Sequence, residues 1–275
     1  AQTEAKIPRD KAVQLATLYV DIPDNYTLQG VSFNSSTSYG GTLASYWQID
    51  FAKKDQKDYY GNINVTIDSD SGKLVNFYKY DSDPDKQPAY PPKADIQAAK
   101  KIAADFIAKM NPDIQAQVRY NDSFEKTFKT PLQGDFRYEL KYERVVGDIV
   151  FPDNYIAFSI NADGQITNYQ YSWNDKIAFD DAKGIIDLEA AKKAFLERSK
   201  TALSYVIPYE AQTKTPQISY QFQTLPLDAK TGEWIQLRYM YDFPDLEGGK
   251  PLSDAPLANP PRENLNLTKD QAIEK

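Results

Sequence analysis

The 275-residue chain contains no cysteine and no histidine. Their absence removes thiol nucleophiles, Ser-His-Asp triads and the usual zinc ligands. It leaves the compartment open, because secreted chains as well as cytoplasmic ones lack cysteine. No stretch approaches the roughly 18 apolar residues of a membrane-spanning helix, and the chain is read as soluble. Positive charge is short as well: 32 Lys and Arg stand against 39 Asp and Glu, a net charge of −7, with no long basic run. A phosphate backbone would be repelled, so nucleic acid is not expected as a partner, and basic peptides or cations suit the charge better. The chain starts at Ala1 without Met or an apolar signal region and is read as a mature form whose targeting segment is gone.

What the chain has is aromatic alternation. Aromatics make up 13% of it, with 20 Tyr, which suits amphipathic sheets. Phe136 to Glu143 places an apolar residue at every second position with charge between, the period of a half-buried strand. Tyr155 to Ile160 and Gln165 to Trp173 follow, joined by Ala162-Asp163-Gly164, and complete an antiparallel meander. Ahead of it the apolar spacing Ile96, Ala99, Ala103, Phe106, Ile107, Met110 predicts a helix that Asn111-Pro112 stops. Val118 to Phe128 is expected to pair with Phe136 to Glu143.

The same order occurs earlier. A helix from Pro8 to Tyr19 precedes strands at Gln29 to Phe33, Tyr46 to Phe51, Asn62 to Asp68 and Lys73 to Tyr80. Trp47 to Phe51 superposes on Tyr138 to Tyr142 at an offset of 91, and Gly72 on Gly164 at 92, the mark of one unit used again. A third helix is expected over Asp187 to Val206, and Gln217 to Gln223 is expected to pair with Trp234 to Tyr241 across Asp228 to Gly232. Asp242 to Leu267 is rich in Pro and Gly, and Leu267 to Lys275 reads as the first turns of another helix, as if the chain were cut from something longer. The expected units are 1–90, 91–183 and an incomplete 184–275 with a Pro-rich tail.

Thr268-Lys269-Asp270-Gln271-Ala272, the turn Asp228 to Gly232, and above all Tyr142-Glu143-Arg144-Val145-Val146-Gly147-Asp148-Ile149-Val150-Phe151-Pro152-Asp153-Asn154 resemble the YcdB/YcdC-type repeats of Gram-positive surface proteins. Those repeats are related to PepSY-type modules of peptidase propeptides and cell-envelope proteins. The resemblance is good over Lys93 to Trp173, moderate over 1–92 and partial in the third unit. Family members commonly read Asn-Gly after the Arg-Val step, where this chain has Val146-Gly147-Asp148. The resemblance implies an α+β fold of repeated units, each one helix packed on a curved antiparallel β-meander (PepSY/cystatin-like). It also implies a secreted or wall-attached protein, often with S-layer segments elsewhere in the full chain, and carries over no catalytic residue, cofactor or metal ligand.

Several short patterns invite chemistry. Ser123-Phe124-Glu125-Lys126, Ser172-Trp173-Asn174 and Lys230-Thr231-Gly232 occur in the order used by penicillin-binding enzymes. In those enzymes the Ser-x-x-Lys opens a buried helix, whereas here it falls in a strand-like segment, and Lys230-Thr231-Gly232 reads as a hairpin turn. Asp70-Ser71-Gly72 has the form of an aspartic-protease loop, but that chemistry needs a second such loop and none exists. Asp81, Asp83 and Asp85 alternate like calcium ligands, yet Lys86 and Pro92 stand where an EF-hand needs Gly and Glu, which leaves at most a looser calcium contact in a solvated linker. A glycosidase pair leaves no spacing signature. The feature with most promise is the stripe Tyr169, Tyr171, Trp173, echoed by Tyr78 and Tyr80, with Arg137, Lys141 or Arg144 able to add polar contacts. Tyr169, Tyr171, Trp173 and Arg144 are therefore the candidate ligand-binding residues, against the alternative that the stripe is the buried face beneath a helix. The expected function is a non-enzymatic extracellular module binding a peptidase, a peptide or a wall polymer; the alternative is a structural spacer in a larger S-layer-type protein.

Overall fold

The computed structural model describes residues 5–37, 43–54, 60–82, 90–131, 136–208, 215–222 and 225–235. The chain forms two compact units, residues 1–177 and 178–275.

In the first unit, helix α1 (Arg9–Tyr19) is followed by strands β1 (Tyr26–Thr37), β2 (Leu43–Lys53), β3 (Gly61–Asp68) and β4 (Leu74–Asp81). Helix α2 (Ile96–Met110), β5 (Val118–Asn121), the short helix α3 (Ser123–Thr127), β6 (Arg137–Val146), β7 (Ile149–Asn161) and β8 (Ile166–Ser172) come next. All eight strands belong to one antiparallel sheet, ordered β1-β2-β3-β4-β8-β7-β6-β5. Each meander joins the other through its last strand, where Asn76, Phe77 and Tyr78 pair with Gln170, Tyr169 and Asn168. The sequence units 1–90 and 91–183 thus contribute to one sheet.

Small residues let the helices lie close to the sheet. Ala12 and Ala16 of α1 and Ala99 and Ala103 of α2 are fully buried, and Asp95 caps α2 by accepting from the Ala98 amide at 2.8 Å. The face beneath them is written by alternation: Ile63, Val65 and Ile67 in β3, Tyr138, Leu140 and Tyr142 in β6, and Ile156, Phe158 and Ile160 in β7 are buried.

The turn from β3 to β4 and the turn from β7 to β8 are built alike. Gly72 and Gly164 sit at φ 73° and 82°, where a side chain is strained. A Cβ on Gly72 would lie 3.0 Å from Leu15, and one on Gly164 would lie 3.3 Å from Ala94 and Ile102. Each turn also receives the residue that leads into a helix: the Ile7 amide donates to the Ser69 carbonyl at 2.8 Å, and the Ala94 amide to the Ala162 carbonyl at 3.1 Å. Trp47 Nε1 donates to the Ile7 carbonyl at 2.7 Å and the Tyr138 hydroxyl to the Ala94 carbonyl at 2.8 Å, so the two residues aligned at an offset of 91 perform one task.

Two expectations are corrected in the first unit. Val118 to Phe128 is strand only as far as Asn121, because the Asn121 side chain accepts from the Ser123 amide at 3.0 Å and starts α3. The strand after Val146 begins at Ile149, since Gly147 and Asp148, at φ 53° and 69°, close a two-residue hairpin of the type that Asn-Gly commonly forms.

In the second unit, helix α4 (Leu188–Arg198) is capped by Asp187, which accepts from the Ala190 amide at 2.8 Å. The expected helix over Asp187 to Val206 stops early: Thr201–Val206 is strand β9, paired with β10 (Gln217–Phe222). Across the turn at Gly232 the pairing among the described residues is the bridge Leu227 to Trp234, and the Ile186 amide donates to the Ala229 carbonyl at 2.8 Å. The rest of the expected strand Trp234 to Tyr241, and the expected helix at Leu267 to Lys275, lie outside the described residues.

Candidate functional site

Tyr171, Trp173 and Arg144 are brought together. The two rings stack at 6.2 Å and 12°, the Arg144 guanidinium carbon lies 5.0 Å from the Trp173 ring centre, and Arg144 Nη1 donates to the Asn174 carbonyl at 3.2 Å. All three are half-buried. Tyr169 does not join this surface. It is fully buried, its hydroxyl donates to Asn111 Oδ1 at 2.8 Å, and its ring lies among Phe77, Phe106 and Phe158, so it is core beneath α2 and cannot stack on a ligand. Tyr78 and Tyr80 do not echo the stripe either. Phe77 is the residue facing Tyr169, so Tyr78 and Tyr80 point from the opposite side of the sheet.

The other patterns resolve into local geometry. Asp68 Oδ1 accepts from the Asp70 and Ser71 amides at 3.1 and 2.7 Å, and Asp228 Oδ1 from the Lys230 and Thr231 amides at 2.9 and 2.8 Å, so Asp70-Ser71-Gly72 and Lys230-Thr231-Gly232 are the same turn. Ser123 does open a helix, contrary to the strand expected there, but that helix is five residues long; Ser123 is exposed and Lys126 pairs with Asp122 at 2.9 Å. Asp83 and Asp85 lie outside the described residues, and Asp81 pairs with Lys53. Among the described residues no three acidic side chains gather as a metal site.

A groove of about 730 Å³ opens elsewhere on the helix-bearing face. One wall is Tyr19 and Val20 at the end of α1 with Asp21 and Pro23; the other is Ile102 and Phe106 of α2 with the turn Asn161 to Gln165. Ile63, Phe77, Lys79 and Ile166 floor it, and Asp81 and Tyr26 stand at one end.

The reason for the opening is visible in the second meander. With Phe77 opposite Tyr169, the next two inward positions of β4 are Lys79 and Asp81, and the corresponding residues are Tyr171 of β8 and Trp173 just after it, at the same offset of 92 that relates Gly72 to Gly164. Beside α2 those two positions are filled by large rings packed against the core, whereas beside α1 they hold an amine and a carboxylate. The partner residues match too: Lys53 and Arg144 are related by the offset of 91. In one half the cation meets a carboxylate, Lys53 Nζ to Asp81 Oδ1 at 3.1 Å; in the other it lies over an indole.

Lys79 is anchored at the groove floor. Its Nζ donates to the Asp21 carbonyl at 2.8 Å and lies 5.7 Å from the Phe77 ring centre. Burial pushes its pKa below the ordinary lysine value, and the Asp21 charge only partly opposes this. Burial and then the Asp81 charge raise Tyr26. Folded protein therefore binds fewer protons at Lys79 than unfolded chain does between the lowered midpoint and 10.5, so stability rises with pH across that window. Carbon-13 NMR of the lysine side chains is expected to show Lys79 titrating below the exposed lysines, and Lys79→Met to abolish its share of the pH-dependent rise. A Lys79 midpoint among the others would contradict this placement.

Comparison with known proteins bears on the whole of the first unit. No curated protein matches the chain. Among solved structures, the Bacillus megaterium YpeB C-terminal domain aligns with a TM-score of 0.46 at 13% identity, covering 85% of this chain and 100% of that one. The profile of the YcdB, YcdC repeated domain matches residues 9–173, from the start of α1 to the end of the second meander. That is more than half of the 275 residues, and the chain belongs to the YcdB, YcdC repeated-domain family.

Proposed function

We propose that the protein is a non-enzymatic binding module whose groove over Lys79 receives an aromatic side chain of an extended peptide. The observation that carries this is internal. The equivalent space beside α2 is occupied by the chain's own Tyr171 and Trp173, which supports an aromatic occupant for the open one. Phe77, Ile63, Ile166 and Phe106 supply apolar contact, and Lys79 and Arg137 supply donors for the carbonyls or carboxylate of a bound segment. A peptidase presenting such a segment is a suitable partner, in keeping with the family resemblance, and the cell surface is the proposed setting. Tyr171, Trp173 and Arg144 form a second, shallower aromatic face, which we read as the filled copy of the site.

The test is isothermal titration with pentapeptides bearing Trp or Phe among alanines, compared with penta-alanine. Binding of the aromatic peptides alone is expected. Lys79→Tyr introduces the residue found in the filled copy and is expected to weaken that binding at least tenfold, about 1.4 kcal/mol, without loss of the folded far-ultraviolet spectrum. Equal, negligible heats for all three peptides would leave the spacer reading in its place.

A further inference from the structure

The opposite face of the sheet carries a different surface. The helices of the first unit pack on the side of Ile63, Val65, Phe77 and Tyr169, so the alternate residues of each strand point away from them. Cross-strand pairing aligns these into two rows. One runs Ser32, Gln48, Thr66, Asn76, Gln170 from β1 to β8, and the next Asp50, Asn64, Tyr78, Asn168 from β2 to β8.

The composition of these rows is unusual for a wet sheet face. Asn is depleted from strands because its side chain competes for backbone hydrogen bonds, yet Asn62, Asn64, Asn76 and Asn168 occupy three neighbouring strands on one side. Among the described residues of β1 to β4 and β8, no Lys or Arg points outward: Lys53 and Lys79 face the helix side. The two acids are already engaged, Asp50 by Asn64 Nδ2 at 2.5 Å and Asp68 by its own turn. The amides of Asn62, Asn76, Asn168 and Gln170 make no hydrogen bond to another described residue, and Tyr78 and Tyr80 are 36% and 38% exposed. On these five strands, unused paired donors and acceptors, the open phenol ring of Tyr78 and no outward cation form a surface suited to an uncharged, hydroxyl-rich ligand, and the first cation along the row is Lys141 of β6, two strands beyond Gln170.

We propose that this face binds a neutral β-1,4-linked pyranose chain lying across the strands. Neighbouring strands are about 4.8 Å apart, close to the advance of such a chain per ring. Successive sugars therefore meet successive members of the row Gln48, Thr66, Asn76, Gln170, with Tyr78 in the adjoining row as a stacking platform. The site is separate from the groove and does not depend on the peptide reading.

Nitrogen-15 NMR of the intact chain with cellohexaose tests it. The side-chain amide signals of Asn62, Asn76, Asn168 and Gln170 are expected to shift at millimolar sugar and to do so equally at low and high salt, because no charge pair is formed. Asn76→Ala with Gln170→Ala is expected to weaken binding about tenfold, and Lys79→Tyr to leave it unchanged. Absent side-chain amide shifts in the unaltered protein would overturn the assignment, as would tighter binding of the anionic polyguluronate than of cellohexaose.

Discussion

Tyr169→Ala is expected to lower the unfolding free energy of the first unit by about 3–5 kcal/mol, the range for truncating a large buried aromatic. The ring touches Phe77 at 6.0 Å, Phe106 at 5.1 Å and Phe158 at 5.5 Å, and no part of it reaches solvent. Its hydroxyl serves Asn111, itself 2% exposed, whose amide ends α2 by donating to the Ile107 carbonyl at 2.8 Å. Tyr169→Phe keeps the ring and strands the Asn111 oxygen, so a smaller loss of about 1–3 kcal/mol is expected. Urea denaturation followed by tryptophan fluorescence measures both, with an unchanged slope showing that the midpoint shift is stability. A ligand-contacting Tyr169 would behave in the opposite way, with near-normal stability and lost affinity. A loss below that of Tyr171→Ala would refute the core assignment, since Tyr171 is only half-buried.

The difference between these two tyrosines was only partly legible in the chain. Period-two alternation places Tyr169, Tyr171 and Trp173 on one face, but it does not say where along that face a helix ends. Asn111-Pro112 stops α2 opposite Tyr169, which is why burial is complete there and falls off toward Trp173. Turns and helix starts were readable because their chemistry is local: an Asp or Asn oxygen over following amides, and glycine where φ is positive. Thr201 to Val206 is ambiguous in sequence because Ala202 and Val206 satisfy a helical spacing of four as well as an alternating one, and pairing with β10 decides for strand. The groove was the least visible feature. Its signal was Lys79 and Asp81 at the positions that hold Tyr171 and Trp173 beside the second meander, and recognising it requires the register of β4 against β8.

That correspondence makes the ion pair at the end of the groove a second sensitive point. Asp81→Ala is expected to cost about 1.5–3 kcal/mol, the weight of a charge-assisted hydrogen bond lost from a buried ammonium. The Lys53 side chain is 7% exposed and that of Asp81 20%, with Nζ 3.1 and 3.3 Å from the two carboxylate oxygens. Gly61 leaves the space they need: a Cβ there would fall 2.5 Å from the Tyr26 hydroxyl and 3.3 Å from Lys53 Cβ. Removing both charges, as Lys53→Met with Asp81→Leu, is expected to cost much less than Asp81→Ala, since the desolvation penalty disappears with the pair. Lys53→Arg with Asp81→Trp transplants the arrangement of Arg144 and Trp173, a cation over an indole, and is expected to recover about 0.5–2 kcal/mol relative to Asp81→Ala. A double-mutant cycle by urea denaturation reads these differences directly. If Asp81→Ala were no worse than the doubly uncharged variant, the pair would be a surface contact of little weight. If the transplanted pair restored stability, two positions related by the repeat would be shown to accept either an ion pair or a cation on a ring. The transplanted indole would then occupy the end of the groove and weaken peptide binding there, because the choice at residue 81 also decides whether the space beside α1 is open or filled.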